Sequence, residues 1–142
     1  MHVRVLETWS YPDGRYRSEK VASPTREQVE AGVRRLDRRV HPILFLWASD
    51  DPEQHMVDEF CERLEVLGGA GLYWLAGTFD GYFQRQFIDP AGGDREVPFW
   101  GIEIEQGFGA AERHVCRDVE LAVRAALHYA EFGKFDPSLP WE

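Results

Sequence analysis

The sequence predicts a single α+β domain: one layer of mostly antiparallel sheet with two or three helices packed on it. Three observations carry this. Two pairs of β-rich segments flank turn-forming residues, two stretches repeat apolar residues at helical intervals, and no repeat, low-complexity tract or linker divides residues 1–142. Hydrophobic residues make up 44% of the chain and aromatic residues 13%, enough to build one core without disulfide staples.

The first hairpin joins Val3 to Trp9 with Arg15 to Ala22 through Pro12-Asp13-Gly14, where proline presets the turn and glycine supplies positive φ. A helix follows. Thr25 and Gln28 have the spacing of a capping box, and Val29, Val33, Leu36 and Val40 recur at helical intervals, with Gly32 as a weak point. Arg34, Arg35, Arg38 and Arg39 then crowd its last turns, where positive charge complements the helix dipole; without aromatic or glycine-rich interleaving they do not read as a phosphate site.

Ile43 to Ala48 is short, β-rich and without alternation, which suits a central strand buried on both faces. The spacing of Met56, Val57, Phe60, Cys61 and Leu64 predicts a second helix from Pro52, stopped by Gly68-Gly69, with Asp58, Glu62 and Glu65 as its acidic stripe. The apolar residues of 62–67 fit both periods, so a strand paired with Leu72 to Ala76 is the alternative there. Leu72 to Leu75 and Tyr82 to Ile88 form a second hairpin across Asp80-Gly81.

After a loop from Pro90 to Pro98, alternation in Phe99 to Glu105 puts Ile102 and Ile104 on one strand face and Glu103 and Glu105 on the other. The last helix spans about Asp118 to Phe132 and is capped by Gly133. Its stripe of Val119, Ala122, Ala125, Ala126, Tyr129 and Ala130 allows close packing, and Pro137 and Pro140 keep the tail non-helical, with Trp141 folding back onto the body.

Chemistry is sparse. The five histidines are scattered without HxxxH or HxH spacing, so no metal or other cofactor is expected; His128 reads as a structural residue near a helix end. Cys61 and Cys116 lack a CxxC or Cys-His pattern and read as reduced thiols of a cytoplasmic protein, with a disulfide as the alternative. No GxSxG elbow is present, and Gly68-Gly69-Ala70-Gly71 lacks the lysine and hydroxyl of a phosphate loop. No catalytic residues are expected. The longest apolar run, Ile43 to Ala48, is far short of a membrane span.

Net charge is −9 and uneven: residues 1–40 hold nine Lys/Arg and six Asp/Glu, residues 41–142 seven and nineteen. The later chain is therefore an acidic body, which repels nucleic acid and anionic membranes and speeds encounter with a basic partner. Asp58, Glu62, Glu65, Trp100, Glu103 and Glu105 are the candidate partner-binding residues. Self-association stays open, as do two other readings: a small hydrolase or metal-dependent enzyme using Glu103, Glu105 and a distant histidine, and a ligand-binding domain lined by the aromatic hairpin.

The ending Ala126-Leu127-His128-Tyr129-Ala130-Glu131-Phe132-Gly133 through Pro137 to Trp141-Glu142, a helix, a glycine, a proline and then tryptophan before an acid, resembles that of the first immunity-protein family of bacterial polymorphic toxin systems. Trp9 ahead of Pro12-Asp13-Gly14 and a helix opened near Ser23-Pro24 are compatible with its beginning. The resemblance implies a small α+β protein that neutralises a toxin, in some systems a nucleic-acid deaminase, by covering its active site. It brings no catalytic residues, and Gly133, Pro137 and Trp141 would be parts of the fold.

Overall fold

The computed structural model describes residues 1–49, 62–79, 83–102 and 105–142, with residues 79, 83, 99–102 and 105–108 described by backbone alone. Among the described residues the architecture is α+β: a six-stranded antiparallel sheet, a separate two-stranded ribbon and two helices.

Strands β1 (Val5–Ser10) and β2 (Arg17–Ala22) form the first hairpin, with Val5 opposite Ala22 and Ser10 opposite Arg17. The turn works as its residues suggest: Asp13 and Gly14 take positive φ of 54° and 76°. Helix α1 (Arg26–Arg35) opens on the full capping box, Gln28 N donating to Thr25 Oγ1 at 3.2 Å and Thr25 N to Gln28 Oε1 at 2.9 Å. A Cβ on Gly32 would lie 2.8 Å from Leu44 Cδ1, so the glycine lets α1 approach the sheet closely.

The helix ends a turn earlier than periodicity predicts, and the cause is local. Asp37 Oδ1 accepts from Arg39 N at 2.9 Å and His41 N at 2.8 Å, Arg38 takes a left-handed φ of 71°, and Asp37 bridges to Gly69. Arg34 and Arg35 thus lie in the last turn as expected, but Arg38 and Arg39 fall beyond it, and Val40 is exposed.

Strand β3 (Ile43–Trp47) sits between β1 and β4 in the order β2-β1-β3-β4-β5-β6, central as expected and with Ile43, Leu44, Leu46 and Trp47 buried. Strand β4 (Arg63–Gly69) corrects the helical reading of its residues. Pairing with β3 on one side and β5 (Leu72–Phe79) on the other satisfies its backbone. Alternation then sends Leu64 and Val66 to one face and Arg63, Glu65 and Leu67 to the other. The strand alternative therefore holds from Arg63, and the stretch expected to be helical from Pro52 to Cys61 lies outside the described residues.

Strand β6 (Phe83–Gln86) completes the second hairpin, with Phe79 opposite Phe83; Asp80-Gly81 lies outside the described residues. The ribbon corrects a second expectation: Phe99 to Glu105 is not one strand. Strand β7 (Glu96–Ile102) ends at Ile102, and Glu105 opens β8 (Glu105–Ala111) and pairs with Ile102. Two glycines, Gly107 and Gly109, hide β8 from a propensity reading.

Helix α2 (Val119–Phe132) is capped by Asp118, whose carboxylate accepts from Glu120 N at 2.9 Å, and by Gly133 at a left-handed φ of 68°. Both helices lie on one face of the sheet: Val29, Val33, Ala122, Ala126 and Tyr129 share a core with Leu6, Leu44, Leu46, Leu64, Val66 and Leu75. On the other face the ribbon covers Ile43 and Leu67 with Val97. Among the described residues no helix is long and apolar enough to cross a membrane.

Gly69 tests this packing. A Cβ there would meet the Leu36 carbonyl carbon at 2.2 Å, on a backbone at φ +126°, whereas Gly71, at φ +91°, has nothing within 4 Å of a built Cβ. Gly69→Ala is expected to cost about 3 kcal/mol or more and Gly71→Ala about 1 kcal/mol, measured by urea unfolding; equal losses would show that the contact with Leu36 is not tight.

Candidate partner-binding surface

Period-two alternation in β1 puts Val5, Glu7 and Trp9 on the face opposite α1 and α2, so a carboxylate lands among rings. Glu7 is only 4% exposed, yet it is fully used. Its Oε1 accepts from Trp47 Nε1 at 3.0 Å, and its Oε2 accepts from Trp9 Nε1 at 3.0 Å and Ser18 Oγ at 2.7 Å. One buried charge thereby orients two indoles. Trp9 meets Phe45 edge-on at 5.1 Å and Tyr16 at 5.4 Å, Phe45 stacks on Trp47 at 5.1 Å, and the Arg63 guanidinium lies 5.8 Å from the Trp47 ring centre. The result is a rigid aromatic face.

The sequence-predicted residues do not form one stripe. Glu65 lies on this aromatic face, its Oε1 accepting from Arg63 Nε at 2.6 Å. Glu62, one residue ahead of β4, turns to the helix side, where its carboxylate is 3.5 Å from His2 Nε2. Trp100 lies in β7 opposite Phe108, and Glu105 lies in β8 opposite Ile102. Asp58 and Glu103 lie outside the described residues. The common strand face expected for Glu103 and Glu105 depended on an unbroken strand, and β7 has ended before Glu105 begins β8.

Across the helices, Arg34 donates to Glu30 at 2.9 Å and in a fork to Glu120 at 2.9 and 3.0 Å, and Arg26 donates to Glu131 at 2.9 Å. The hydrogen bond from Arg34 holds the Glu120 carboxyl below its ordinary pKa. These carboxylates are already partnered. In sequence, residues 50–65 contain seven carboxylates and one arginine, and of these Glu62 pairs with His2 and Glu65 with Arg63. The ends they connect, Trp47 of β3 and Arg63 of β4, are paired with each other, and Gly77 of β5 lies opposite Leu64. Phe79 of β5 and Phe83 of β6 lie opposite each other at the same end of the sheet.

The tail closes the β6 edge. Gln86 and Glu142 exchange backbone hydrogen bonds of 2.8 and 3.1 Å, and Ile88 N donates to Pro140 O. Trp141 folds back as expected, its Nε1 donating to Asp136 O at 2.8 Å and its ring 4.7 Å from Phe135. Asp136 in turn accepts from Ser138 N at 2.9 Å and Ser138 Oγ at 2.6 Å and pairs with Arg124 at 3.2 Å. Burial pushes its pKa up, but the Ser138 bonds and Arg124 outweigh it and leave the carboxyl below its ordinary value. Burial pushes the Cys116 thiol up.

Of the histidines, His128 packs on Phe132 at 4.8 Å and His114 Nε2 lies 2.6 Å from Glu142 Oε2. Among the described residues no group of three or more His, Cys, Asp or Glu is placed to hold a metal ion. Sequence reasoning missed the Glu7 cluster. The available signal was parity in Val5-Leu6-Glu7-Thr8-Trp9, which places Glu7 beside Trp9.

Fold and surface together define, among the described residues, a six-stranded antiparallel sheet backed by helices on one face, with aromatic rings on the other. No family model matches the chain, and no curated protein matches it. Among solved structures it is similar to a hypothetical protein from Neisseria gonorrhoeae: the TM-score is 0.61 at 10% identity, over 94% of this chain and 90% of that one, a likeness of fold.

Two substitutions check the surface. Glu7→Ala strands two indole N–H groups and a hydroxyl, and is expected to cost about 2–3 kcal/mol with loss of near-ultraviolet tryptophan dichroism; retained stability would show that the rings order themselves. Asp136→Ala is expected to cost about 2 kcal/mol at neutral pH. Because the folded carboxyl titrates below its unfolded value, that stabilisation is present above the ordinary Asp range. The gap between wild type and variant should therefore close as pH falls through the folded pKa, below that range; a gap unchanged by acid would assign the loss to packing.

Proposed function

We propose that this chain is a non-catalytic binding protein that neutralises a cognate bacterial protein toxin in the cytoplasm by covering its active site. The observation that carries the reading is the acidic surplus of residues 41–142, nineteen Asp/Glu against seven Lys/Arg, with seven of those carboxylates falling between positions 50 and 65 of the sequence. A cluster of this kind raises the association rate with a basic surface, and substrate clefts of nucleic-acid-acting toxins are basic. The ordered rings around Glu7 add the rigid aromatic contact area that anchors interfaces. Glu62 and Glu65 lie at the start of β4, and Trp100 and Glu105 belong to the ribbon of the aromatic side. The resemblance of the chain's ending to an immunity-protein family supports the same reading.

The test is co-expression with the product of the neighbouring gene, followed by binding kinetics on the purified pair. Growth should be rescued. Neutralising Asp50, Asp51, Glu53, Asp58 and Glu59 to their amides should slow association about tenfold at low salt, with the difference vanishing near 1 M salt. Persistent toxicity despite folded protein, or association indifferent to salt and to these five charges, overturns the proposal.

A further inference from the structure

The two edges of the six-stranded sheet differ. The tail closes β6, whereas among the described residues β2 pairs with β1 alone. Ser23 N donates to Arg4 O at 2.8 Å in the register that sets Val5 opposite Ala22. This parity turns the backbone groups of Arg17, Glu19 and Val21 toward β1 and those of Ser18, Lys20 and Ala22 outward, where a further strand could meet them. Side chains alternate as well. Ser18 Oγ reaches Glu7, so Tyr16, Ser18 and Lys20 share the aromatic face, while Val21 packs against the helix-side core, so Arg17 and Glu19 share that face. Tyr16 meets Trp9 edge-on and is 55% exposed, an uncovered ring at the open edge.

We infer that β2 pairs antiparallel with β2 of a second copy of this chain about a dyad at Ser18, joining two sheets into one. The strand is complementary to its own reverse, because Arg17-Ser18-Glu19 read backwards sets each charge against its opposite. A twofold axis normal to an antiparallel pair places one residue opposite itself, and that fixes every other pairing. Dyads at Tyr16, Arg17, Glu19 or Lys20 oppose like charges, and dyads at Val21 or Ala22 run Ser18 or Lys20 into Pro24, which has no N–H to give. At Ser18, Arg17 lies opposite Glu19 of the second copy on the helix face and Tyr16 opposite Lys20 of the second copy on the aromatic face, each twice by symmetry. The outward backbone groups of Ser18 and Lys20 are then satisfied. Within one copy Glu19 lies 3.4 Å from Arg17 and 3.8 Å from Arg35, beyond the about 2.7–2.9 Å of a charge-assisted hydrogen bond, so both Arg17 and Glu19 keep hydrogen-bonding capacity for the cross-strand pair.

The test uses the isolated chain. Sedimentation equilibrium should show a reversible dimer with a dissociation constant on the order of 100 µM, as contact along one short strand implies. Arg17→Glu and Glu19→Arg each set like charges opposite one another on both sides of the dyad. Each should weaken self-association about tenfold while leaving circular dichroism and thermal unfolding close to those of the wild type, since both positions are on the surface. An equimolar mixture of the two variants should associate as tightly as the wild type, because one strand then carries two cations at these positions and the other two anions. A monomer at every concentration up to about 1 mM, self-association indifferent to either reversal, or a mixture no tighter than its separate components overturns the pairing. No toxin enters the experiment, so its failure leaves neutralisation standing, and a failed rescue leaves a measured dimer standing.

Discussion

The structure depends on two strands, β3 and β4, that must be covered on both faces at once. Leu44, Leu46, Leu64 and Val66 need the helices, while Ile43 and Leu67 need the ribbon. At about 25 cal/mol per Å² of apolar surface, this double burial is the dominant stabilising term, and it fixes register because a one-residue slip would exchange the faces. The glycine contacts follow from it: Gly32 lets α1 reach Leu44, and Gly69 lets the segment after α1 bridge the sheet end.

Within that constraint the face opposite α1 and α2 departs from a plain hydrophobic layer. Glu7 is buried at the cost of desolvating a carboxylate, which three donors offset, and the same bonds hold Trp9 and Trp47. The other edge of the sheet is blunted by the tail, whose position is set by Asp136 and Trp141. Rigid rings on one face suit recognition of a preformed protein surface, because little side-chain freedom is lost on contact.

Much of the fold was legible because local signals agreed with tertiary demands. The Thr25–Gln28 box, Pro12-Asp13-Gly14, the unalternating Ile43–Ala48 run and Gly133 all act as their residue types suggest. Residues 63–69 were ambiguous, since Leu64, Val66 and Leu67 fit two periods and pairing with β3 and β5 decided between them. Strand β8 was illegible because Gly107 and Gly109 carry no β propensity, and the missed break after Ile102 misplaced Glu105. The acidic surplus could be counted from the sequence, whereas the Glu7 cluster required the parity of β1 read together with Trp47 forty residues away.

Hydrogen exchange on the complex with the neighbouring gene's product addresses the central claim most directly. The account predicts added protection at Glu62, Arg63 and Thr78, at the end of the sheet where β3 leads into β4 and β5 into β6, with the outer face of the helices unchanged. Protection confined to α1 and α2, or a mixture in which no amide of this chain changes, would contradict it.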